Sequence, residues 1–256
     1  MSMLDNILQT VCPECSSFRN EACPFHYDEK EQCQSVRDAL NNARRRILYF
    51  DTETTGLPFK PADPERYGRT HNANGYPRLV QLGWILTDGN DRVLSEHSCL
   101  VRPEGFTIPD ESSFLHGITT ERASTEGAPL LDVLHLFSED VLQADVLVGH
   151  NIDYDVRVVE GELRRKNQTA ALEKLSGMSV IDTMKTTVEF CAIPFPEGQP
   201  RKYDTGCDYK YPKLRELHFK LFGTEFENAH DALADIRATR KCFVELEKRG
   251  FIFFAR

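Results

Sequence analysis

Four large apolar residues in a row, Ile47-Leu48-Tyr49-Phe50, stop at Asp51 and lead into Thr54-Thr55-Gly56-Leu57-Pro58. The run is too brief for a helix, and the break behind it is how a buried strand ends in a turn. Asp51 and Glu53 therefore stand at the carboxyl end of a strand. Residues i and i+2 of a strand point to one face, so the two carboxylates converge on the same point. Paired oxygen ligands of this kind suit a hard cation such as Mg²⁺ or Mn²⁺. Acidic residues after a strand are also common as solvated loop residues, and the pair alone does not decide between the two.

The remaining chain supplies partners for this strand. Residues 58–77 are rich in Pro, Gly and Asn and read as a long loop or hairpin, after which 79–87 and 92–101 read as strands around a turn at Asp88-Gly89-Asn90. Farther on, 129–142 has helical apolar spacing, 145–149 is a short buried strand and 152–166 a helix. Residues 180–182 are expected to form the last core strand, with helices near 183–191, 213–222 and 229–248. The expected fold class is α/β: a mixed central sheet, three antiparallel strands then parallel ones, flanked by helices. A chain of 256 residues, 40% hydrophobic and 28% charged, buries one core of that kind with a small appendage. The expected division is a Cys/His-rich N-terminal extension at 1–45, with a leading helix over 35–46, and one domain at 46–256.

Two further segments carry chemistry. Gly149-His150-Asn151-Ile152-Asp153-Tyr154-Asp155 places Asp155 about one helical turn after Asn151, on a helix that starts beside a strand end. A carboxylate there is also what a helix dipole favours. Ala229-His230-Asp231-Ala232-Leu233-Ala234-Asp235 puts His230 before a helix and Asp235 inside it; a lone histidine at such a place is more often a cap or core residue.

Taken together, the three segments resemble in order and spacing the three motifs of the DEDDh exonuclease family, a branch of the ribonuclease H-like superfamily. Asp51-Thr52-Glu53-Thr54-Thr55-Gly56-Leu57 matches the first, His150-Asn151 through Tyr154-Asp155 the second, and His230 through Asp235 the third, while His116-Gly117-Ile118-Thr119 matches a further turn. The resemblance covers residues 46–248, and the stretch Pro77 to Leu82 is similar to bacterial proteins related to the polymerase proofreading subunit. It implies a ribonuclease H-like exonuclease fold and a 3′→5′ exonuclease releasing nucleoside 5′-monophosphates. It also implies that Asp51, Glu53 and Asp235 hold one Mg²⁺ or Mn²⁺, that Asp51 and, through water, Asp155 hold a second, and that His230 is the general base. Two ions about 3.5–4 Å apart clamp the attacking and leaving oxygens of an in-line displacement, and a histidine with an ordinary pKa of about 6.5 accepts a proton near neutral pH.

Substrate contacts implied by the resemblance are Thr52, Thr54 and Leu57, whose side chain would wedge against the last base, and His150 and Asn151. Turn packing is the plain alternative for Leu57, and N-capping is the plain alternative for Asn151. Between Gln199 and Arg215, five basic residues (Arg201, Lys202, Lys210, Lys213, Arg215) stand against Asp204 and Asp208 with three tyrosines between them. Basic groups with interleaved aromatics hold single strands without sequence preference, though a solvated loop has the same composition. Arg66, Tyr67, Arg69 and His71 are a weaker version of the same signal. The net charge of −9 argues against binding mainly by a broad basic surface, since such binding neutralises phosphates with Lys and Arg.

Four of the eight cysteines crowd the first 33 residues. Cys12 with Cys15 and Cys23 with His26 have the C-x₂-C and C-x₂-H spacing of tetrahedral zinc sites, with Cys33 as an alternative ligand; reduced cysteines on a tail are the other reading. A structural Zn²⁺ would order this extension as a docking point for a replication or repair protein. The absence of a long apolar stretch or secretory leader pattern places the chain in the cytoplasm, away from membranes. With the chain ending at Arg256, just after the last motif helix, a stand-alone enzyme or one docked by its N-terminus is expected. The expected substrate is single-stranded DNA with a free 3′ end. RNA trimming is the enzymatic alternative, and a non-catalytic binding module of a replication or repair assembly is the alternative of a different class.

Overall fold

The computed structural model describes residues 44–58, 75–198, 201, 204–227 and 231–252. The N-terminal cysteines with His26, most of the leading helix, the 66–71 loop residues, Lys202, Tyr203 and His230 lie outside these.

The central strand β1 spans Arg46–Thr54 and pairs antiparallel with β2, Leu79–Asp88, which pairs antiparallel with β3, Val93–Leu100. On its other side β1 runs parallel to β4, Val146–Gly149, and β4 parallel to β5, Ser179–Asp182. The order β3-β2-β1-β4-β5 is the mixed sheet expected from the sequence. Arg46, assigned from sequence to the end of the leading helix, instead opens β1: its backbone pairs with Asp88, and its N–H donates to Asp145 at 2.8 Å.

Every residue of β2 is buried, and β1 is nearly so, because helices cover both faces of the sheet. The pleat sorts β1 by parity. Leu48 and Phe50 join Leu82, Trp84 and Leu147 in one core, with α3 (Leu130–Gln143), α4 (Ile152–Arg165) and α5 (Thr169–Ser176). Ile47 and Tyr49 join Ile85, Val146 and Val148 in the opposite core, with α8 (Leu214–Phe222) and α9 (Ala232–Lys248). Edge-to-face rings anchor each layer, Phe50 on Phe137 at 5.4 Å and Tyr49 on Phe243 at 5.8 Å.

Short helices α1 (Asp110–His116), α2 (Thr120–Glu126) and α5 were not expected. With seven or eight residues each, they are too short to display a helical apolar period, although Thr119 caps α2 with its side chain. The helix expected over 183–191 is divided into α6, Thr183–Thr186, and α7, Val188–Cys191. Its threonines explain the break: Thr186 and Thr187 hydroxyls donate back to the carbonyls of Asp182 and Thr183 at 2.9 and 2.6 Å, competing with the helical ladder. Among the described residues, no helix is long and apolar enough to cross a membrane.

A buried ion chain ties α4 to the start of β2. Arg78 Nε donates to Glu162 Oε1 at 2.7 Å, Leu79 N–H reaches the same oxygen at 3.3 Å, and Arg165 Nε donates to Glu162 Oε2 at 2.8 Å. Glu162 is fully buried. Arg78 also exchanges bonds with Thr55: its carbonyl accepts from Thr55 N–H at 3.0 Å, and its own N–H donates to the Thr55 hydroxyl at 2.9 Å. The turn after β1 and the helix carrying Asp155 are thus fastened to each other through one residue, Arg78, whose backbone holds Thr55 and whose guanidinium holds Glu162.

Candidate active site

Asp51 and Glu53 share the parity of Ile47 and Tyr49, so both face α9. How α9 comes close enough is decided on β2. Gly83 sits opposite Asp51, and a Cβ there would lie 2.8 Å from Ile236 Cδ1 and 3.2 Å from the Ala232 carbonyl carbon. The missing side chain is the space into which the first turn of α9 settles. Asp231 caps that turn, accepting from Ala234 N–H at 3.0 Å, and Asp235 lies one turn in. One oxygen from each of Asp51, Glu53 and Asp235 then lies within 4.8 Å of the others. Three such hard donors fit a divalent cation such as Mg²⁺ or Mn²⁺. Gly83→Val is expected to push α9 outward and lower strand cleavage on the order of 100-fold, as small misplacements do, with a near-native circular dichroism spectrum; Gly83→Ala should fall between. Full activity in Gly83→Val would remove this role for the glycine.

Asp155 arrives from the opposite layer. Thr52 points to the α4 side, and both its N–H, at 2.9 Å, and its hydroxyl, at 2.6 Å, donate to Asp155 Oδ1. The carboxylate is buried and pinned to the strand that carries Asp51 and Glu53. Burial, and then repulsion by Asp155, Asp235 and Glu53, pushes the Asp51 carboxyl well above the usual range. Burial, followed by Asp235 and Asp155, raises Glu53 to about 8. Burial raises Asp155 to about 7 against the two Thr52 bonds, which act the other way. Such a cluster holds its full negative charge at neutral pH only beside a compensating positive charge.

Proton linkage gives this a sign. An acid whose pKa is raised by folding keeps protons the unfolded chain has lost, so stability falls as pH climbs from the unfolded value, about 4.5, through the folded one. In chelator, the melting temperature of the wild type should therefore fall relative to Glu53→Gln between about pH 5 and about pH 8. Saturating Mn²⁺ should flatten or reverse that difference; a wild type that gains on the variant with rising pH in chelator would contradict the scheme.

The residues flanking the cluster divide into exposed and committed groups. Leu57 is 77% exposed, outside the core. Thr54 is buried, and its hydroxyl lies 2.6 Å from Tyr154 Oη, which donates to the Gly56 carbonyl at 2.7 Å. His116 accepts from Ile118 N–H on Nδ1 at 3.1 Å, leaving Nε2–H to face the Thr54 carbonyl at 3.3 Å. The Leu57 turn is thereby held from α4 and from the α1–α2 connection.

His150 is committed inside the protein. Burial pushes its imidazole down to about 4, so it is neutral at pH 7, with Nε2–H donating to the Pro212 carbonyl at 2.9 Å and Nδ1 lying 3.1 Å from the Thr183 hydroxyl, which also reaches the Gly149 carbonyl at 3.0 Å. Asn151 adopts a left-handed φ of 65° and makes no side-chain cap. Its backbone N–H instead donates to Asp182 Oδ1 at 2.9 Å, leaving an exposed side chain beside the site. In the basic stretch, Arg201 pairs with Asp208 at 3.0 Å and Lys210 with Glu216, just beyond it, at 2.6 Å. Sequence reading gave no role to Gly83, to the Tyr154 hydroxyl or to Asp182; Tyr154 carried a signal as the aromatic of the second motif, and Asp182 as an acid at the end of a core strand.

The profile of the Exonuclease (RNase_T) family matches residues 48–243. The chain belongs to the exonuclease family. It is of the DEDDh type within the ribonuclease H-like superfamily, and its nuclease fold is the one expected from the motifs. A relative of this exonuclease, the PolC-type DNA polymerase III of Caldanaerobacter subterraneus subsp. tengcongensis, is 25% identical over 202 residues, 78% of this chain but 11% of that polymerase. Escherichia coli exonuclease I in complex with a dT13 oligonucleotide superposes with a TM-score of 0.58 at 21% identity, covering 80% of this chain and 41% of that one. Exonuclease I of Methylocaldum szegediense gives 0.57 at 23% identity, with 80% and 41% covered. The chain therefore spans less than half of exonuclease I and a small part of the polymerase. Members of the family use divalent metals, and the Asp51, Glu53 and Asp235 oxygens form a group fit to bind one.

Proposed function

We propose that this exonuclease removes nucleotides one at a time from the 3′ end of single-stranded DNA, with Asp51, Glu53, Asp155 and Asp235 as metal ligands and His230 as general base. The observation that carries the proposal is the convergence of Asp51, Glu53 and Asp235 oxygens within 4.8 Å, with Asp155 pinned to Thr52 from the other side of the same strand. Two Mg²⁺ or Mn²⁺ ions held there would neutralise charge developing on the attacking and leaving oxygens of the phosphodiester. The protein's own part is to aim these carboxylates, to offer the exposed Leu57 to the terminal base, and to take a proton from the attacking water at His230. Asn151, with its exposed side chain, and the Thr52–Thr54 backbone edge are assigned to the substrate strand. His150, with both ring nitrogens engaged, positions the turn that bears Asn151. The single-stranded substrate is supported by the oligonucleotides bound to the exonuclease I structures.

Matched DNA and RNA oligonucleotides carrying 5′ or 3′ labels, digested with Mg²⁺, Mn²⁺ or chelator, test the reading. Expected are a ladder of shortening 5′-labelled DNA, immediate release of a labelled mononucleotide from the 3′-labelled strand, and no reaction in chelator. Digestion from the 5′ end would overturn the polarity, and faster trimming of RNA would overturn the substrate.

A further inference from the structure

Beside the four carboxylates stands a fifth. Asp182 ends β5, next to Gly149 at the end of β4, and is 6% exposed. Its Oδ1 accepts from three backbone N–H groups, Asn151 and Met184 at 2.9 Å each and Lys185 at 3.4 Å. Its Oδ2 is buried with no hydrogen-bond partner. Lys185 Nζ is 4.0 Å from it, too long for a hydrogen bond, and is bonded to Asp153 instead. A buried carboxylate oxygen left unpaired costs free energy, and few native groups are left so.

The orientation of the group explains what that cost does. Oδ1 fixes Asn151 in its left-handed conformation, which sets the start of α4 and so the place of Asp155 one turn later. The Asp182 carboxylate therefore stands against the N-terminus of α4, whose first turn carries Asp155. Two buried carboxylates thus serve the first turn of one helix, and a cation beside Asp155 offsets the charge of both. Resting on the function proposed above, we infer that Asp182 is a positioning residue for the cation at Asp155: Oδ1 places the ligand, and the unpaired, charged Oδ2 strengthens cation binding without touching the ion. Groups behind the ligands commonly act this way, and their loss weakens metal affinity about 10- to 100-fold.

The test is direct Mn²⁺ binding to the whole chain without substrate, read from the electron paramagnetic resonance signal of free Mn²⁺, together with cleavage across a Mn²⁺ series. Asp182→Asn keeps an oxygen acceptor for the three N–H groups, removes the charge and puts an amide NH2 in place of Oδ2. It should fold, raise the Mn²⁺ dissociation constant of the weaker site about tenfold, and recover near-normal kcat at saturating Mn²⁺. Lys185→Met removes the nearest positive charge from an exposed position, and should shift affinity the opposite way, tightening Mn²⁺ about two- to threefold. Should Asp182→Asn fail to fold, Lys185→Met decides alone. Unchanged Mn²⁺ affinity in the folded Asp182→Asn protein, no tightening in Lys185→Met, or a rate loss that Mn²⁺ does not repair would overturn the inference. A wild type that binds no Mn²⁺ or trims no 3′ ends would instead overturn the function on which it rests.

Discussion

Asp51→Asn should lower single-turnover cleavage of a 5′-labelled strand on the order of 10³-fold or more while the protein folds normally. The expected size follows from charge stabilisation by bound metal, worth several kcal/mol, with each ~1.4 kcal/mol a factor of ten in rate. Asp51 is the member of the cluster that Asp155, Asp235 and Glu53 all oppose. Its replacement by a neutral isostere removes that repulsion, so the metal-free variant should melt no lower than the wild type, and higher at alkaline pH. Losing function while keeping or gaining stability separates a site residue from a core residue. A variant cleaving within tenfold of the wild-type rate would remove Asp51 from the centre of the scheme.

The second large effect lies away from the chemistry. Glu162→Ala leaves the buried Arg78 guanidinium, and with it Arg165, without the carboxylate that both address. Breaking a buried pair by deleting one partner costs about 3–5 kcal/mol, whereas replacing both by apolar groups is often neutral. Urea unfolding followed by circular dichroism should show that loss in Glu162→Ala and partial recovery in Arg78→Leu/Glu162→Leu. Because Arg78 also grips Thr55, the single variant should lose activity even where it stays folded. Equal stability of Glu162→Ala and wild type would mean that solvent reaches Arg78.

These two residues mark how far the sequence is legible. Asp51 was readable because strand periodicity and a turn signal act over a few residues, and the same local rules located β2, β3, β4 and the long helices. Glu162 was not: Arg78 and Glu162 are 84 positions apart, and a charged residue on a helix pattern looks the same whether it faces water or a guanidinium. Gly83 read as an ordinary strand residue, since its meaning is the approach of a helix some 150 positions later. Asn151 fitted an N-cap by type, yet its backbone is captured by Asp182 in a tertiary contact that no local rule anticipates. His230, Cys12, Cys15, Cys23, His26 and Cys33 remain sequence expectations.

The sorting of β1 by parity has a consequence for how this strand tolerates change. Inserting or deleting one residue between Ile47 and Phe50 would exchange apolar side chains for apolar side chains, keeping the pattern at the cost of the Phe50–Phe137 and Tyr49–Phe243 contacts. Beyond that point the same slip would turn Asp51 and Glu53 toward α4 and offer Thr52 to α9. Such a chain would have its reactive end reversed. Length variation among functional descendants of this sequence should therefore be confined to connections, and β1 should behave as a ruler of fixed length.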